Sequence, residues 1–306
     1  HHPLRFCLLP ARLILFFYAH HTSSAKIQDL ILLLLHRFPA SQVKARSTKM
    51  QNVVQTNAGP LDEKDPKTTA DAKSFWMPDG EKTIHDMYQE FSKNYEDYVQ
   101  SDDVDMQANG AMVDLMHKYW PRQSSGDNNN NNSSNKAVSA TLLDIGCGTG
   151  LIGKLFQEGV VREDFFATDE DRTNTIVRGI DLSSGMLSKV SPAIYKQALQ
   201  HDVDVTPWPM FEDNCCDLSI CNGVLIYLKN PDVLDEFVRT CRVGGKCLLM
   251  FRHDVLPAFV EKREAMEKAG KWRLLEKTED MDNFPGLTAK GLDPSMFNVL
   301  VYEVLV

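Results

Sequence analysis

The chain lacks an apolar run long enough to cross a bilayer. The two runs near its start, "LILFFYA" at 13–19 and "LILLLL" at 30–35, fall short of the roughly 18 to 20 residues that a spanning helix needs, so no transmembrane span is expected. Paired CxxC units are also missing. Of the seven cysteines, Cys7, Cys147, Cys215, Cys216, Cys221, Cys241 and Cys247, four lie in or beside apolar strand-like runs. Buried reduced thiols in a reducing compartment fit this better than a disulfide framework or a zinc site, and no metal is expected. Acid is nearly absent from residues 1–49, which hold seven Lys/Arg against Asp29, whereas the remainder has 26 basic and 41 acidic residues. So acidic a body is a poor partner for nucleic-acid backbones, because phosphate contacts supply most non-specific affinity. A small or neutral substrate is accommodated more easily. No methionine precedes Met50. Residues 1–49 therefore read as a processed targeting segment, as upstream translation outside the mature protein, or as a membrane-surface anchor. The expected location is cytoplasmic, or organellar if the targeting reading holds.

What is present has a clear order. Residues 50–78 are polar and poor in large apolar side chains, so 1–79 reads as a flexible or targeting lead-in. In "TIHDMYQEFSKNYEDYV" at 83–99, Ile84, Met87, Tyr88, Phe91, Tyr95 and Val99 recur at three and four, the spacing of one helix face. A second helix is expected at 106–120, then a low-complexity, asparagine-rich loop over 122–136. Beyond it, apolar strands at 140–145, 176–181, 195–200, 216–221 and 246–251 alternate with helical stretches near 149–158, 184–191 and 231–241. That alternation indicates a mostly parallel sheet covered on both faces. A further helix is expected at 257–270, with β-rich segments near Trp272–Lys277 and Phe297–Val304; "FNVLVYEVLV" is too apolar for a surface strand and belongs inside the sheet.

The strand "ATLLDI" runs directly into Gly146-Cys147-Gly148-Thr149-Gly150 and then into the helix "LIGKLFQEG". Glycines at such a junction permit close approach of a ligand, and the helix start is expected to face the crevice with free N–H groups. Asp144 places a carboxylate at the same edge. Gly148-Thr149-Gly150-Leu151-Ile152-Gly153 also fits the dinucleotide pattern G-x-G-x-x-G, a weak match alone. Registered to the strand end, the pattern is instead G-x-G-x-G. The second marker is "IVRGIDLSSGML" at 176–187, a strand ending in Asp181, whose carboxylate can accept from both ribose hydroxyls of an adenosine ligand; a plain helix cap would look similar. The long gap before it holds "REDFFATDEDRTN" at 162–174, read as a solvated acidic loop. After the third strand, Asp202 can accept from an adenine amino group, Val203 can present a backbone N–H and Met186 an apolar face.

Together "LDIGCGTG", "GIDLSSGML", "QHDV", "CDLSICNGVLIYL" and "RVGGKCLLMFR" resemble the class I S-adenosylmethionine-dependent methyltransferases over about 80–306. "MYQEFSKNYEDYV" looks like the tyrosine-bearing helix that precedes the domain in small-molecule members, and within these the chain is most similar to the Williams-Beuren-region methyltransferase-like group. The resemblance implies a doubly wound, Rossmann-like α/β fold: a seven-stranded, mostly parallel sheet with an antiparallel last strand at Phe297–Val304 and helices on both faces. It implies S-adenosyl-L-methionine as cofactor, with Gly146, Gly148 and Gly150 beneath the methionine part, Asp181 on the ribose, and Asp202 with Val203 at the adenine edge. Asn222 and Gly223 then approach the methionine part or the acceptor, and Tyr88 and Tyr95 help to close the site. Asp144, Leu182 and Met186 complete the expected cofactor-binding set. The sequence departs from the family's pattern in the acidic insertion, the asparagine loop, and "VGG" at 243–245 where proline commonly precedes the glycines.

The sulfonium of this cofactor is an already activated methyl donor, so aligning the acceptor and excluding water is the protein's main task. Asp144, His201, His253 and Tyr227 are candidate bases, Arg252 a candidate anion partner, and no catalytic residue is assigned. The expected activity is methyl transfer to a small-molecule acceptor. The alternatives are a nicotinamide-dependent oxidoreductase and a non-catalytic cofactor-binding or scaffold protein of the same fold.

Overall fold

The apolar run ahead of the glycine turn forms the central strand β1 (Thr141–Ile145), buried at all but its first residue. Leu142 and Leu143 point to opposite sides of it, as strand geometry requires, and each joins a different core. In this computed structural model residues 82–122, 137–159, 166, 168–292 and 294–306 are described, all within the unit Pro66–Val306. The lead-in at 1–79 and loop positions 123–136 lie outside the described residues.

Three helices come first: α1 (Ile84–Phe91), α2 (Tyr95–Val99) and α3 (Gln107–Tyr119). After β1 follow α4 (Leu151–Gly159), α5 (Asp169–Asn174), β2 (Ile176–Asp181), α6 (Ser184–Leu187), β3 (Tyr195–Gln200) and β4 (Cys216–Cys221). A 3-10 turn at Leu225–Tyr227 leads to α7 (Val233–Thr240) and β5 (Cys241–Arg252). The chain closes with α8 (Pro257–Lys268), β6 (Trp272–Lys277), β7 (Met281–Asp282), α9 (Pro285–Thr288) and β8 (Met296–Val304).

The sheet order is β3-β2-β1-β4-β5-β8-β6, with the two-residue β7 pairing beside β8 as an eighth strand. Neighbours from β3 to β5 are parallel, and β8 runs antiparallel to both β5 and β6. The last strand therefore lies inside the sheet. Its residues from Phe297 to Tyr302 are all buried. One face of the sheet carries Leu143, Ile145 and Tyr302 against Phe237 of α7 and Phe259 of α8. The other carries Leu142, Ile220 and Val299 against Met112 and Met116 of α3 and Phe156 of α4. Helices on both faces and strands spreading both ways from β1 define a doubly wound α/β fold, with its crevice where the order reverses between β1 and β4.

Two expectations are corrected. The helix expected over 83–99 is two helices. Thr83 and Asp86 form a capping box on α1, but Ser92 turns its hydroxyl back onto the Gln89 carbonyl and Asn94 leaves the helical region at φ −137°. Serine and asparagine compete with a helix for its own backbone groups, and the apolar period does not register this. The acidic stretch at 162–174 is not all loop. Thr168 caps α5 by accepting from the Asp171 N–H, while Phe166 is buried against Trp120.

Candidate active site

The glycine turn leaves β1 at Ile145, so Gly146 is the first residue after the strand. Its φ is +72°, and an added Cβ would stand 2.1 Å from Val224 Cγ2, beside the end of β4. A side chain there would push the two strand ends apart. Gly148, at φ +55°, faces open space instead. The N–H groups of the turn itself are already used. Gly146 and Cys147 donate to the Ile180 carbonyl at 2.8 and 3.0 Å, and Gly150 to Cys147 at 2.8 Å. Gly148 donates to Asp181 Oδ2 at 2.9 Å. The turn thus docks on the end of β2 rather than offering a ring of amides.

Asp181 is the hinge of this arrangement. Its second oxygen accepts from the Ser183 N–H at 2.8 Å, so one carboxylate ties the glycine turn to the start of α6. Burial raises its pKa, and the amides of Ser183 and Gly148 and the charge of His85 act against that rise. Gln89 of α1 reaches the same place, its side-chain oxygen accepting from Gly185 N at 2.9 Å and Ser183 Oγ at 3.1 Å. Periodicity hid Gln89, because it lies off the apolar stripe of α1.

A cavity of about 420 Å³ opens here, and Gly146, Gly148, Asp181, Leu182, Met186, Asp202, Val203 and Asn222 all line it, as do Gly223, Tyr88, Tyr95, Tyr227 and Arg252. Asp144 and Gly150 do not. Asp144 is 1% exposed and accepts from Tyr195 Oη at 2.6 Å, while Tyr195 in turn accepts from the Gly153 N–H at 3.2 Å. Burial pushes the Asp144 carboxyl up to about 7, opposed by the Tyr195 hydrogen bond and aided by the charge of Asp181. Gly150 packs against the Tyr195 ring, which its Cβ would meet at 2.9 Å. Asp144, Tyr195 and Gly153 brace the turn from below. Tyr195, the first residue of β3, counts in the sequence as one more apolar residue, so nothing there signals its role.

Around the rim, Asp202 Oδ1 accepts from the Asp204 N–H at 3.0 Å, and Asp204 takes the Lys229 and Asn230 N–H groups at 2.9 Å each. Asn222, just beyond β4, donates to Asn109 Oδ1 at 2.9 Å, and its own Oδ1 is buried without a partner. Tyr88 Oη donates to Tyr227 Oη at 2.9 Å, with their rings edge to face. Burial raises the pKa of both phenols, so both stay protonated at neutral pH. Arg252 is paired with Asp254 through Nε and Nη2, at 3.0 and 2.9 Å. Of the other candidate bases, His201 Nε2 bonds the Val205 carbonyl at 3.0 Å and His253 pairs with Asp280 at 3.4 Å; neither lines the cavity. The described cysteines are all free thiols, five of them buried. Among the described residues no group of three or more His, Cys, Asp or Glu could hold a metal, and no helix is long and apolar enough to cross a membrane.

Residues 143–249 match the protein family described as a methyltransferase domain. None of the curated proteins matches the chain. Among solved structures, it is similar to a TehB-like SAM-dependent methyltransferase from Corynebacterium glutamicum, at 18% identity over 72% of this chain and 98% of that one, with a TM-score of 0.45. It is also similar to an S-adenosylmethionine-dependent methyltransferase from Mesorhizobium loti, at 14% identity over 54% of this chain and 91% of that one, with a TM-score of 0.40. At such values these register likeness and nothing more. The family match, with the doubly wound sheet, identifies a class I S-adenosylmethionine-dependent methyltransferase domain. The protein is an enzyme, a methyltransferase.

Proposed function

We propose that S-adenosyl-L-methionine lies along the strand ends of this cavity, ribose on Asp181, adenine between Met186 and the Asp202-Val203 edge, methionine part over Gly146 and Gly148 toward Asn222. The observation that carries this is the Asp181 carboxylate, held in the cavity wall by two amides that leave part of its accepting capacity free. The donor set fits the group. Asn222 Oδ1 is a buried acceptor in want of a donor, which an ammonium supplies, and the acidic wall of Asp181, Asp202 and Asp204 suits a cationic ligand.

When bound, the cofactor supplies an activated methyl group. The chain's own residues position the acceptor, exclude water and fix charge. Tyr88, Tyr95 and Tyr227 form the aromatic cover, with Tyr88 and Tyr227 joined by their hydroxyls. Asp144 braces the turn through Tyr195 instead of meeting the ligand. Gly146 directly after β1 favours this register over the dinucleotide one. The finer likeness to the Williams-Beuren-region group rests on the tyrosine-bearing segment at 87–99. We place the domain at 80–306, with 1–79 as a lead-in, and read the free cysteines as a sign of a reducing, cytoplasmic setting. Calorimetric titration with S-adenosylhomocysteine, followed by turnover of a metabolite mixture with labelled methyl donor, tests the reading. No binding of S-adenosylhomocysteine by folded protein would overturn it.

A further inference from the structure

Arg252 ends β5 at the rim of the cavity, and its side chain is only 9% exposed. Asp254 grips Nε and Nη2, which fixes the guanidinium plane and leaves Nη1 without a protein partner among the described residues. The 3-10 turn carries Tyr227, which lines the same cavity. Its oxygen accepts from Tyr88, so its own O–H remains free to donate. The 3-10 turn packs against β5, and Arg252 and Tyr227 line the one cavity, close enough for the charge of Arg252 to act on the Tyr227 phenol. The cavity also has apolar lining from Ile84, Met106 and Phe284.

We infer that the methyl acceptor is a small carboxylic acid with an apolar body, its carboxylate received by Arg252 Nη1 and the Tyr227 hydroxyl. The inference rests on the cofactor reading above for the role of the site as the acceptor pocket. Two donors in one cavity, on elements that pack together, suit the two oxygens of one planar carboxylate, one each. A cationic acceptor would meet the Arg252 guanidinium and the free O–H of Tyr227, both donors. A neutral one would leave a buried donor unmatched. A phosphate dianion is disfavoured by the balance of charge. Arg252 is already paired with Asp254, and the lysine on the wall, Lys229, shares it with Asp181, Asp202 and Asp204.

The test uses the full chain saturated with S-adenosylhomocysteine and two probe pairs, benzoate against benzamide and hexanoate against hexanamide, by calorimetry or ligand-observed NMR. At least one acid is expected to bind about tenfold more tightly than its amide, the scale of one charge-assisted hydrogen bond. Arg252→Gln should abolish that preference, and Tyr227→Phe should reduce it about threefold, on the order of one neutral hydrogen bond. Thermal melts of both variants report whether they are folded, and S-adenosylhomocysteine is kept saturating for each. Should Arg252→Gln fail to fold, Tyr227→Phe carries the test. Equal binding of acid and amide by wild type, or an undiminished preference in both variants, overturns the inference. If wild type binds no S-adenosylhomocysteine, the cofactor reading falls by itself, and the same probe pairs on the free protein still decide whether Arg252 and Tyr227 hold a carboxylate.

Discussion

Replacing Asp181 separates what its carboxylate does for the ligand from what it does for the fold. A carboxylate has about four lone-pair sites. Gly148 and Ser183 occupy two, which leaves about two for the vicinal hydroxyls of a ribose. Hydrogen bonds to a charged group contribute roughly 1.5–3 kcal/mol each. Water recovers part of this in the variant, so Asp181→Ala is expected to weaken S-adenosylhomocysteine binding by at least about tenfold, or ~1.4 kcal/mol. Stability follows a different rule. Burial raises the Asp181 pKa despite two amide donors. A carboxyl raised in this way stabilises the fold fully below its unfolded value of about 3.9 and loses that contribution as pH rises through the folded value. Asp181→Asn removes the loss, so its Tm should climb relative to wild type between pH 4 and pH 8, although its NH2 then faces one amide. Alanine leaves both amides to water and should melt below asparagine. Calorimetry with S-adenosylhomocysteine and melts at both pH values read the two effects apart. Wild-type affinity in both folded variants would refute the ribose assignment, and a pH-independent Tm difference for asparagine would refute the electrostatic argument.

Asp144→Asn keeps an acceptor for Tyr195 and removes a buried acid whose folded pKa is about 7. The wild type alone should lose stability as pH rises from about 4 through 7, by a few kcal/mol at ~1.4 kcal/mol per pKa unit; melts that stay parallel across that range would contradict the burial argument. Gly153→Ala inverts a usual rule. In a helix the change normally gains up to about 1 kcal/mol, but here the Cβ would meet Tyr195 Cε2 and Oη at 2.6 Å, so a net loss of roughly 1–3 kcal/mol is expected, and a higher Tm would count against the packing described. Gln89→Ala removes the acceptor that joins α1 to Gly185 and Ser183. It should speed proteolysis within 84–91 and weaken S-adenosylhomocysteine binding several-fold, on the order of 1 kcal/mol; unchanged proteolysis would show that α1 is held by its aromatic contacts instead.

The sequence by itself determined the strands and their chemistry at the strand ends. Period and residue type are local properties, so β1, β2, β3 and β4 fall within a residue of where the apolar runs place them, and the glycine turn and Asp181 stand out beside them. The burial of Phe297–Tyr302 within "FNVLVYEVLV" was legible too, because a strand apolar on both sides has to be covered on both. What only the tertiary structure decided is pairing between distant residues. Asp144 and Gly150 look like cavity residues by their place beside Gly146 and Gly148, yet the turn rotates them onto Tyr195, some 50 positions later. The amides of Gly146, Cys147 and Gly148 are consumed by Ile180 and Asp181 of the neighbouring strand. Nor does any local pattern show that Tyr88 would meet Tyr227, or that Gln89 would cap the segment after Asp181. A side chain's neighbours along the chain set its conformation, but its hydrogen-bond partner depends on which strand ends the sheet brings together.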